Sequence, residues 1–424
     1  MKEVKFMKKI AVLLLCLSMW IPNLKTVVKA ENNTLTFNSD SVVLMDATNK
    51  RILYEKNGSD KHYPASTTKI MTMLLGVEKG NLNQTMTMSQ EAALSTEFGS
   101  SHISLLPGEK MLLKDALYAT SLASANDAAN GVAETIGGSI DDFVKMMNER
   151  AKAIGCTNTN FVNPHGLHDK DHYTTAIDLA MIMSEASQNP AYIEITSAKE
   201  VVIPSTNKTK DERYLYTTNR CMDDESEYYI PEVICGKSGY TDQSASCFVA
   251  YAKKGDVQLV AVLLSAPSST AYYQDLQTIF NYGFSQYQSY QDVNQLFTDT
   301  KIPHNFYEIG GQIALEKPFI PFTYQEGELE KFQIKTTYND NAKKSVKGEV
   351  VGKATLYYDT TVLGYRNIIL EKELNTPWGI ALQFILNLLK WLVILALGVI
   401  VGAVIAKKFY TRYRNNKHKK RRKR

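Results

Sequence analysis

The sequence predicts an α+β chain in three parts: a large domain of helices around an antiparallel sheet, a small all-β domain, and a C-terminal membrane-spanning helix. Three observations carry that prediction. Ile70, Met71, Met73, Leu74, Leu75 and Val77 recur at helical spacing and stop at Gly80, while residues 233–241 and 246–252 read as two strands flanking a turn at 242–244. Beyond residue 296 the period falls to two, with Phe332, Ile334 and Thr336 alternating against Lys331, Gln333 and Lys335, and Gly348, Gly352 and Gly364 as punctuation. Residues 391–406 are an uninterrupted apolar run of 16, and a length of 424 residues suits one large domain plus a small one.

The chain opens with Lys2, Lys5, Lys8 and Lys9 ahead of an apolar stretch at 10–15, and Val28-Lys29-Ala30 places small residues at a cleavage position. Residues 1–30 are therefore expected to be a secretory signal peptide, with the mature chain starting near Glu31. Cys16 follows Leu15 rather than a small residue, which argues against a lipid-anchored start. The large domain, 31–290, carries Ser66-Thr67-Thr68-Lys69. Pro64-Ala65 leads into a helix over 67–78, so Ser66 sits at a helix N-terminus, where unpaired backbone N–H groups and the positive end of the helix dipole meet its hydroxyl. Lys69 projects from the same face within reach of that oxygen. A serine hydroxyl is a weak nucleophile until its proton is taken, and a lysine takes it only when neutral, so Lys69 is expected to be buried among polar partners. The bland alternative for the pair is an N-capping serine and a solvated lysine.

Residues 115–129 follow an apolar helical pattern interrupted by Ser124 and Asn126, which are too close together to share a helix face unless the helix breaks. A loop between two helices there turns both side chains into a cleft, Ser124 to relay a proton and Asn126 to hold a carbonyl; a pair of helix caps is the bland reading. Lys237-Ser238-Gly239 lies on the first strand of the hairpin. A strand edge carrying Lys237 and the Ser238 hydroxyl makes a site for a carboxylate, and Gly239 lets a peptide backbone approach as an added strand. The alternative is a solvated lysine guarding an exposed edge. Ser205-Thr206-Asn207-Lys208 also fits Ser-x-x-Lys, but its polar surroundings lack a helix signal and predict a loop.

A helix-like segment at 275–284 closes the large domain, and Pro303, Gly310-Gly311, Pro318 and Pro321 mark the change to the small β domain, 296–375, which holds no catalytic cluster. The apolar run extends back to Ile380 if Asn387 and Lys390 lie at the outer interface, giving an anchor over 380–406; an in-plane amphipathic helix over 378–390 is the competing reading. Residues 407–424 hold 11 Lys and Arg and no acid, a positive-inside signal that leaves the tail cytoplasmic and the catalytic part outside. The chain's net charge is +4; the first 30 residues carry +5 and the tail +11, which leaves −12 on residues 31–406. An acidic body argues against a nucleic-acid partner. After Cys16, the cysteines Cys156, Cys221, Cys235 and Cys247 show neither metal-ligand spacing nor a dense disulfide framework, and no cofactor or metal is expected. Cys235 and Cys247 fall on the two hairpin strands, where a bridge and two buried thiols are both open.

In this order, Ser66-Thr67-Thr68-Lys69, Ser124-Ala125-Asn126 and Lys237-Ser238-Gly239 resemble the motifs of low-molecular-mass penicillin-binding proteins of the D-alanyl-D-alanine carboxypeptidase family. The likeness runs through Val43-Leu44-Met45-Asp46, Leu106-Pro107-Gly108-Glu109 and Asn163-Pro164-His165-Gly166-Leu167, and covers residues 36–290. The family usually has Lys-Thr-Gly and often Ser-Gly-Asn; here Ser238 keeps the hydroxyl and Ala125 is still small. The resemblance implies a penicillin-binding/β-lactamase-like large domain and a β-sandwich after it. It implies Ser66 as acylated nucleophile, Lys69 as base, Ser124 as proton shuttle and Asn126 as substrate amide ligand. Lys237, with Ser238 and Gly239, becomes the carboxylate anchor, the backbone N–H groups of Ser66 and Tyr240 the oxyanion hole, and Arg220, after Asn219, a further carboxylate contact. The implied reaction removes the terminal D-Ala of peptidoglycan stem pentapeptides through an acyl-enzyme, with β-lactams as covalent inhibitors. An endopeptidase or transpeptidase on the same scaffold differs in which acceptor reaches the acyl-enzyme. A β-lactamase needs a carboxylate to activate water, whereas residues 163–178 resemble the carboxypeptidase loop, and intact core side chains speak against a non-catalytic sensor.

Overall fold

The computed structural model describes residues 35–95, 97, 99–299, 312–339, 346–371 and 377–421; the expected signal peptide lies outside them. The large domain begins with strands β1 (Ser41–Asp46) and β2 (Ile52–Lys56), helix α1 (Lys69–Lys79), β3 (Thr85–Thr87), α2 (Gln90–Leu94) and β4 (Lys110–Leu112). Helices α3 (Leu113–Leu122), α4 (Asn126–Gly137), α5 (Ile140–Ile154), α6 (Ala176–Ala186) and α7 (Pro190–Thr196) follow, then β5 (Glu200–Ile203) and β6 (Arg213–Tyr216). Strands β7 (Val233–Thr241), β8 (Ala245–Lys254) and β9 (Val257–Ala266) and helix α8 (Ser269–Gln286) complete it.

The central sheet is antiparallel in the order β2-β1-β9-β8-β7, so the first strand among the described residues is zipped to β9 at the end of the large domain's sheet, with Val43 opposite Val262. Alternation sends successive side chains to opposite faces. Val43 and Met45 join the core formed with α1, α3, α4 and α6, while Leu44 faces Gly283 of α8 on the other side. Every residue of α1 from Lys69 to Gly76 is buried, which makes α1 the central post of the helical layer rather than a surface helix. Its stop at Gly80 has a different cause from a left-handed cap. Gly80 has extended backbone (φ −90), and a β-carbon there would run into the side chains of Leu113 and Ile136. Close packing, not a turn, demands the glycine.

Two features place the site. A 3-10 turn over Ala65–Thr68 precedes α1, so the helix proper starts at Lys69 rather than at 67. The expected break between the next helices is real: α3 ends at Leu122, α4 starts at Asn126, and Ser124 between them has φ +53, a left-handed conformation rare for a residue with a side chain. β7 and β8 form the expected hairpin, with Gly239 opposite Cys247 and Cys235 opposite Tyr251. The two cysteines are thus four residues out of register, about 13 Å along the strand direction, and both are buried free thiols. Residues 205–208 are a loop, as their polarity predicts.

The small domain contains β10 (Tyr287–Tyr290), β11 (Ile313–Leu315), β12 (Phe322–Gln325), β13 (Phe332–Tyr338), β14 (Val350–Tyr358) and β15 (Thr361–Leu370). A sheet ordered β11-β15-β14-β13 and the pair β10-β12 share a core that includes Phe319, Phe322, Phe332, Leu356 and Ile368. β10 follows α8 directly, and a buried polar joint ties the two domains. Asp46 accepts from Thr323 N at 2.8 Å, and Arg51, over the Tyr358 ring at 4.5 Å, donates to Thr323 O at 2.7 Å. Helix α9 (Pro377–Arg421) then runs unbroken into the basic tail. Its apolar stretch Phe384–Lys408, 25 residues, is about 38 Å long, enough in length and composition to cross a bilayer core of about 30 Å.

Candidate active site

The turn before α1 holds Ser66 at the domain surface and drops Lys69 inside. Lys69 has no exposed surface, and its Nζ lies 3.0 Å from Ser66 Oγ, 2.6 Å from Asn126 Oδ1 and 2.8 Å from the His165 carbonyl oxygen. Burial, reinforced by Lys237 and opposed by Asp127, pushes its pKa well below the ordinary lysine value. The neutral amine has two N–H donors and one lone pair. Asn126 Oδ1 and the His165 carbonyl can only accept, so they take both donors, and the lone pair is left for the Ser66 hydroxyl. That is the geometry of a general base beside its nucleophile.

Each neighbour is placed by a different part of the chain. Asn126 is the first residue of α4, and its backbone N–H bonds to Ser101 O at 2.8 Å. With its oxygen held by Lys69, its amide nitrogen is the group left to donate to a ligand. Ser124, bent out by its positive φ, lines the cleft, and its hydroxyl makes no hydrogen bond among the described residues. Asp127 is buried and accepts from the backbone N–H of Leu105 at 2.9 Å and of Ala128 at 2.8 Å. His165 comes from a loop pressed against the Ser66 turn. Gly166 has φ +92, and a β-carbon there would overlap the Ala65 carbonyl, so only glycine allows the approach. Thr72 Oγ1 donates to Pro164 O at 2.5 Å, and His172 Nε2 meets Thr68 Oγ1 at 2.8 Å. Burial, with Lys69 beside it, holds the His165 imidazole neutral, its pKa pushed down to about 3, and burial likewise lowers His172 to about 4.

On the opposite side β7 runs along the same turn. A β-carbon on Gly239 would stand 2.8 Å from Ser66 N, so the glycine sets how near the strand comes. Lys237 is almost wholly buried, its Nζ 3.0 Å from Ser238 O, and burial lowers its pKa to about 8. It therefore keeps its charge at neutral pH while Lys69 is driven toward the neutral amine. The cleft, about 870 Å³, is lined by Ser66, Ser124, Asn126, Ser238, Gly239 and Tyr240. His168, Thr218, Asp242 and Tyr272 also line it and were not singled out from the sequence.

Arg220, like Lys69 and Lys237, is not among the lining residues. It sits in a 3-10 turn with its guanidinium 3.2 Å from Glu227 and 4.4 Å over the Tyr228 ring. The role of the His165 carbonyl was also invisible in the sequence, because a backbone oxygen leaves no residue-type signature. The one available hint is Asn163-Pro164-His165-Gly166-Leu167, where proline and glycine bracket a histidine in a loop of fixed shape.

Residues 26–268, more than half of the chain, match the family model described as D-alanyl-D-alanine carboxypeptidase. The chain is 30% identical over 349 residues to D-alanyl-D-alanine carboxypeptidase DacF of Bacillus subtilis (strain 168), covering 80% of this chain and 87% of that one. Penicillin binding protein 5 from Haemophilus influenzae superposes with a TM-score of 0.63 at 24% identity, over 80% of this chain and 98% of that one, which shows the two-domain fold. A mutant form of the Streptomyces K15 DD-transpeptidase superposes with a TM-score of 0.55 at 25% identity, over 59% of this chain and 99% of that one. Helices around an antiparallel sheet, followed by a small β domain, make this a low-molecular-mass penicillin-binding protein fold. The chain belongs to the D-alanyl-D-alanine carboxypeptidase family, peptidase S11.

Proposed function

We propose that the protein removes the terminal D-Ala from peptidoglycan stem pentapeptides by serine acyl transfer, and that β-lactams acylate the same serine. The observation that supports this most is the buried Lys69 amine, 3.0 Å from Ser66 Oγ with its other two contacts on pure acceptors. Ser66 Oγ attacks the carbonyl carbon of the penultimate D-Ala while its proton passes to Lys69 Nζ. The oxyanion is received by the backbone N–H groups of Ser66 and Tyr240, and the Asn126 amide holds a substrate carbonyl. Ser124, which lines the cleft, carries the proton from Lys69 to the departing amine, and the C–N bond breaks to release D-Ala. Water then attacks the ester, giving its proton back through Lys69, and the C–O bond to Ser66 breaks.

The charge on Lys237, with the Ser238 hydroxyl, supplies the site for the free carboxylate of the last residue, which makes the last peptide bond the scissile one. A second acceptor is the specific rival. The Streptomyces sp. (strain K15) relative carries both names, D-alanyl-D-alanine carboxypeptidase and DD-transpeptidase, so the scaffold is named for water and for amine acceptors alike. The exported body would be held at the membrane by α9, with residues 1–30 as signal peptide and the basic tail in the cytoplasm.

Labelled penicillin should attach to the purified protein, and Ser66→Ala should abolish the label. Mass spectrometry of a pentapeptide ending in D-Ala-D-Ala should show loss of one D-Ala, and amidating its terminus should cost more than about tenfold in kcat/KM. Label on another serine, or equal cleavage of the amidated peptide, would overturn the assignment.

A further inference from the structure

Lys69 is oriented by a backbone carbonyl, and a side chain outside the motifs holds that carbonyl in place. The peptide joining His165 to Gly166 presents its C=O to Lys69 Nζ at 2.8 Å and its N–H to Asn163 Oδ1 at 2.6 Å. The same Asn163 oxygen accepts from His165 N at 3.3 Å, and Asn163 Nδ2 donates to Leu167 O at 2.9 Å. One amide thus grips the loop on both sides of the peptide that faces the base. Among the described residues these are the hydrogen bonds of the Asn163 side chain, so it acts on Lys69 only through the peptide.

Hydrogen bonds in series polarise one another: an oxygen accepting from an N–H makes the C=O of the same peptide a better acceptor. The orientation matters more. A neutral amine that gives its N–H groups to Asn126 Oδ1 and the His165 carbonyl has its lone pair toward Ser66. If that peptide turns, an N–H is released to point at Ser66 Oγ as a donor, and the base is presented the wrong way round. We propose that Asn163 is a positioning residue for the general base, setting through the His165–Gly166 peptide the direction in which Lys69 presents its lone pair. This rests on reading Lys69 as the base of Ser66.

The charged and titratable groups facing Lys69 are Lys237 on β7, Asp127 on α4 and His165 on the loop, with His172 behind Thr68. Asn163→Asp keeps an acceptor for the two N–H groups, loses the donor to Leu167 O, and adds a negative charge on the order of 8 Å from Nζ along the hydrogen-bonded chain. That charge favours the ammonium form. Asn163→Ala adds no charge and removes the grip.

The test is the second-order rate of Ser66 acylation by labelled penicillin, measured on the full-length protein in detergent between about pH 5 and 10, with rates normalised to the labelled end point. Normalisation removes any misfolded fraction, so a merely structural role leaves the normalised rate of Asn163→Ala at the wild-type value. Asn163→Asp should move the rising limb about one unit to higher pH, slowing acylation about tenfold near neutrality and recovering at alkaline pH. Asn163→Ala should be slower by about tenfold across the range without a shift. A wild-type rate in Asn163→Ala, or an unmoved profile in Asn163→Asp, would overturn the proposal. A wild-type protein that takes no label at Ser66 would instead overturn the serine–lysine reading beneath it.

Discussion

Gly166 is where the loop bearing the His165 carbonyl touches the nucleophile turn, and replacing it with alanine tests whether that contact positions Lys69. At φ +92 an alanine is left-handed, which costs about 1–2 kcal/mol. Its methyl would also overlap the Ala65 carbonyl and stand 2.9 Å from Thr68 Oγ1, and both belong to the turn that carries Ser66. Relieving that overlap moves backbone against backbone, for which overpacking costs of about 1–3 kcal/mol are typical. The two terms together put Gly166→Ala at about 2–5 kcal/mol. Gly138 is the internal control, since its φ of +81 is similar but nothing lies within 4 Å of a β-carbon there. Gly138→Ala should lose only the strain term, about 1–2 kcal/mol. The assay is urea unfolding of residues 31–371 at constant m, beside the rate of penicillin capture. Gly166→Ala should unfold at lower urea than Gly138→Ala and acylate at least about tenfold more slowly, because a displacement of about 1 Å in a catalytic constellation is enough for such a loss. Gly138→Ala should acylate at the wild-type rate. Equal losses of stability, or undiminished acylation in Gly166→Ala, would refute the link between the loop's approach and the base.

Two further outcomes follow from the buried lysine of β7 and from the anchor. Burial lowers Lys237 from 10.5 to about 8, so between those values the unfolded chain binds more protons than the folded one, and stability rises as pH increases through that window. Relative to Lys237→Met the wild type should gain on the order of 1–3 kcal/mol over it, and its KM for a peptide with a free carboxylate should climb above about pH 8 as the charge is lost; parallel stability curves would show that Lys237 is not desolvated. In intact cells, protease added outside should remove the body while a tag placed after Arg424 survives, and digestion of the tag would reverse the orientation assigned to α9.

The parts of the fold that were legible in the sequence are those set by neighbours in the chain. The turn between β7 and β8, the interruption of the helix at Ser124 and the apolar length of α9 each depend on a few adjacent residues, and the structure has them where the pattern put them. The close pairing of Ser66 with Lys69 is local too, because three residues at a helix start bring the two side chains to one face. The remainder depends on residues far apart. Lys69 meets the His165 carbonyl across 96 positions of sequence, and that partner is a backbone atom whose residue type carries no information. Gly80 ends α1 as a pattern predicts, yet for packing against Leu113 and Ile136, which only tertiary contact reveals. Arg220, singled out by its likeness to the family's Asn-Arg pair, has its guanidinium against Glu227 and Tyr228, contacts that only the fold reveals. Sequence determined which chemical groups this protein has and their local presentation. Tertiary structure alone decided the base's surroundings, because the burial that lowers the pKa of Lys69, reinforced by Lys237 on β7 and opposed by Asp127 on α4, is a property of everything packed around it.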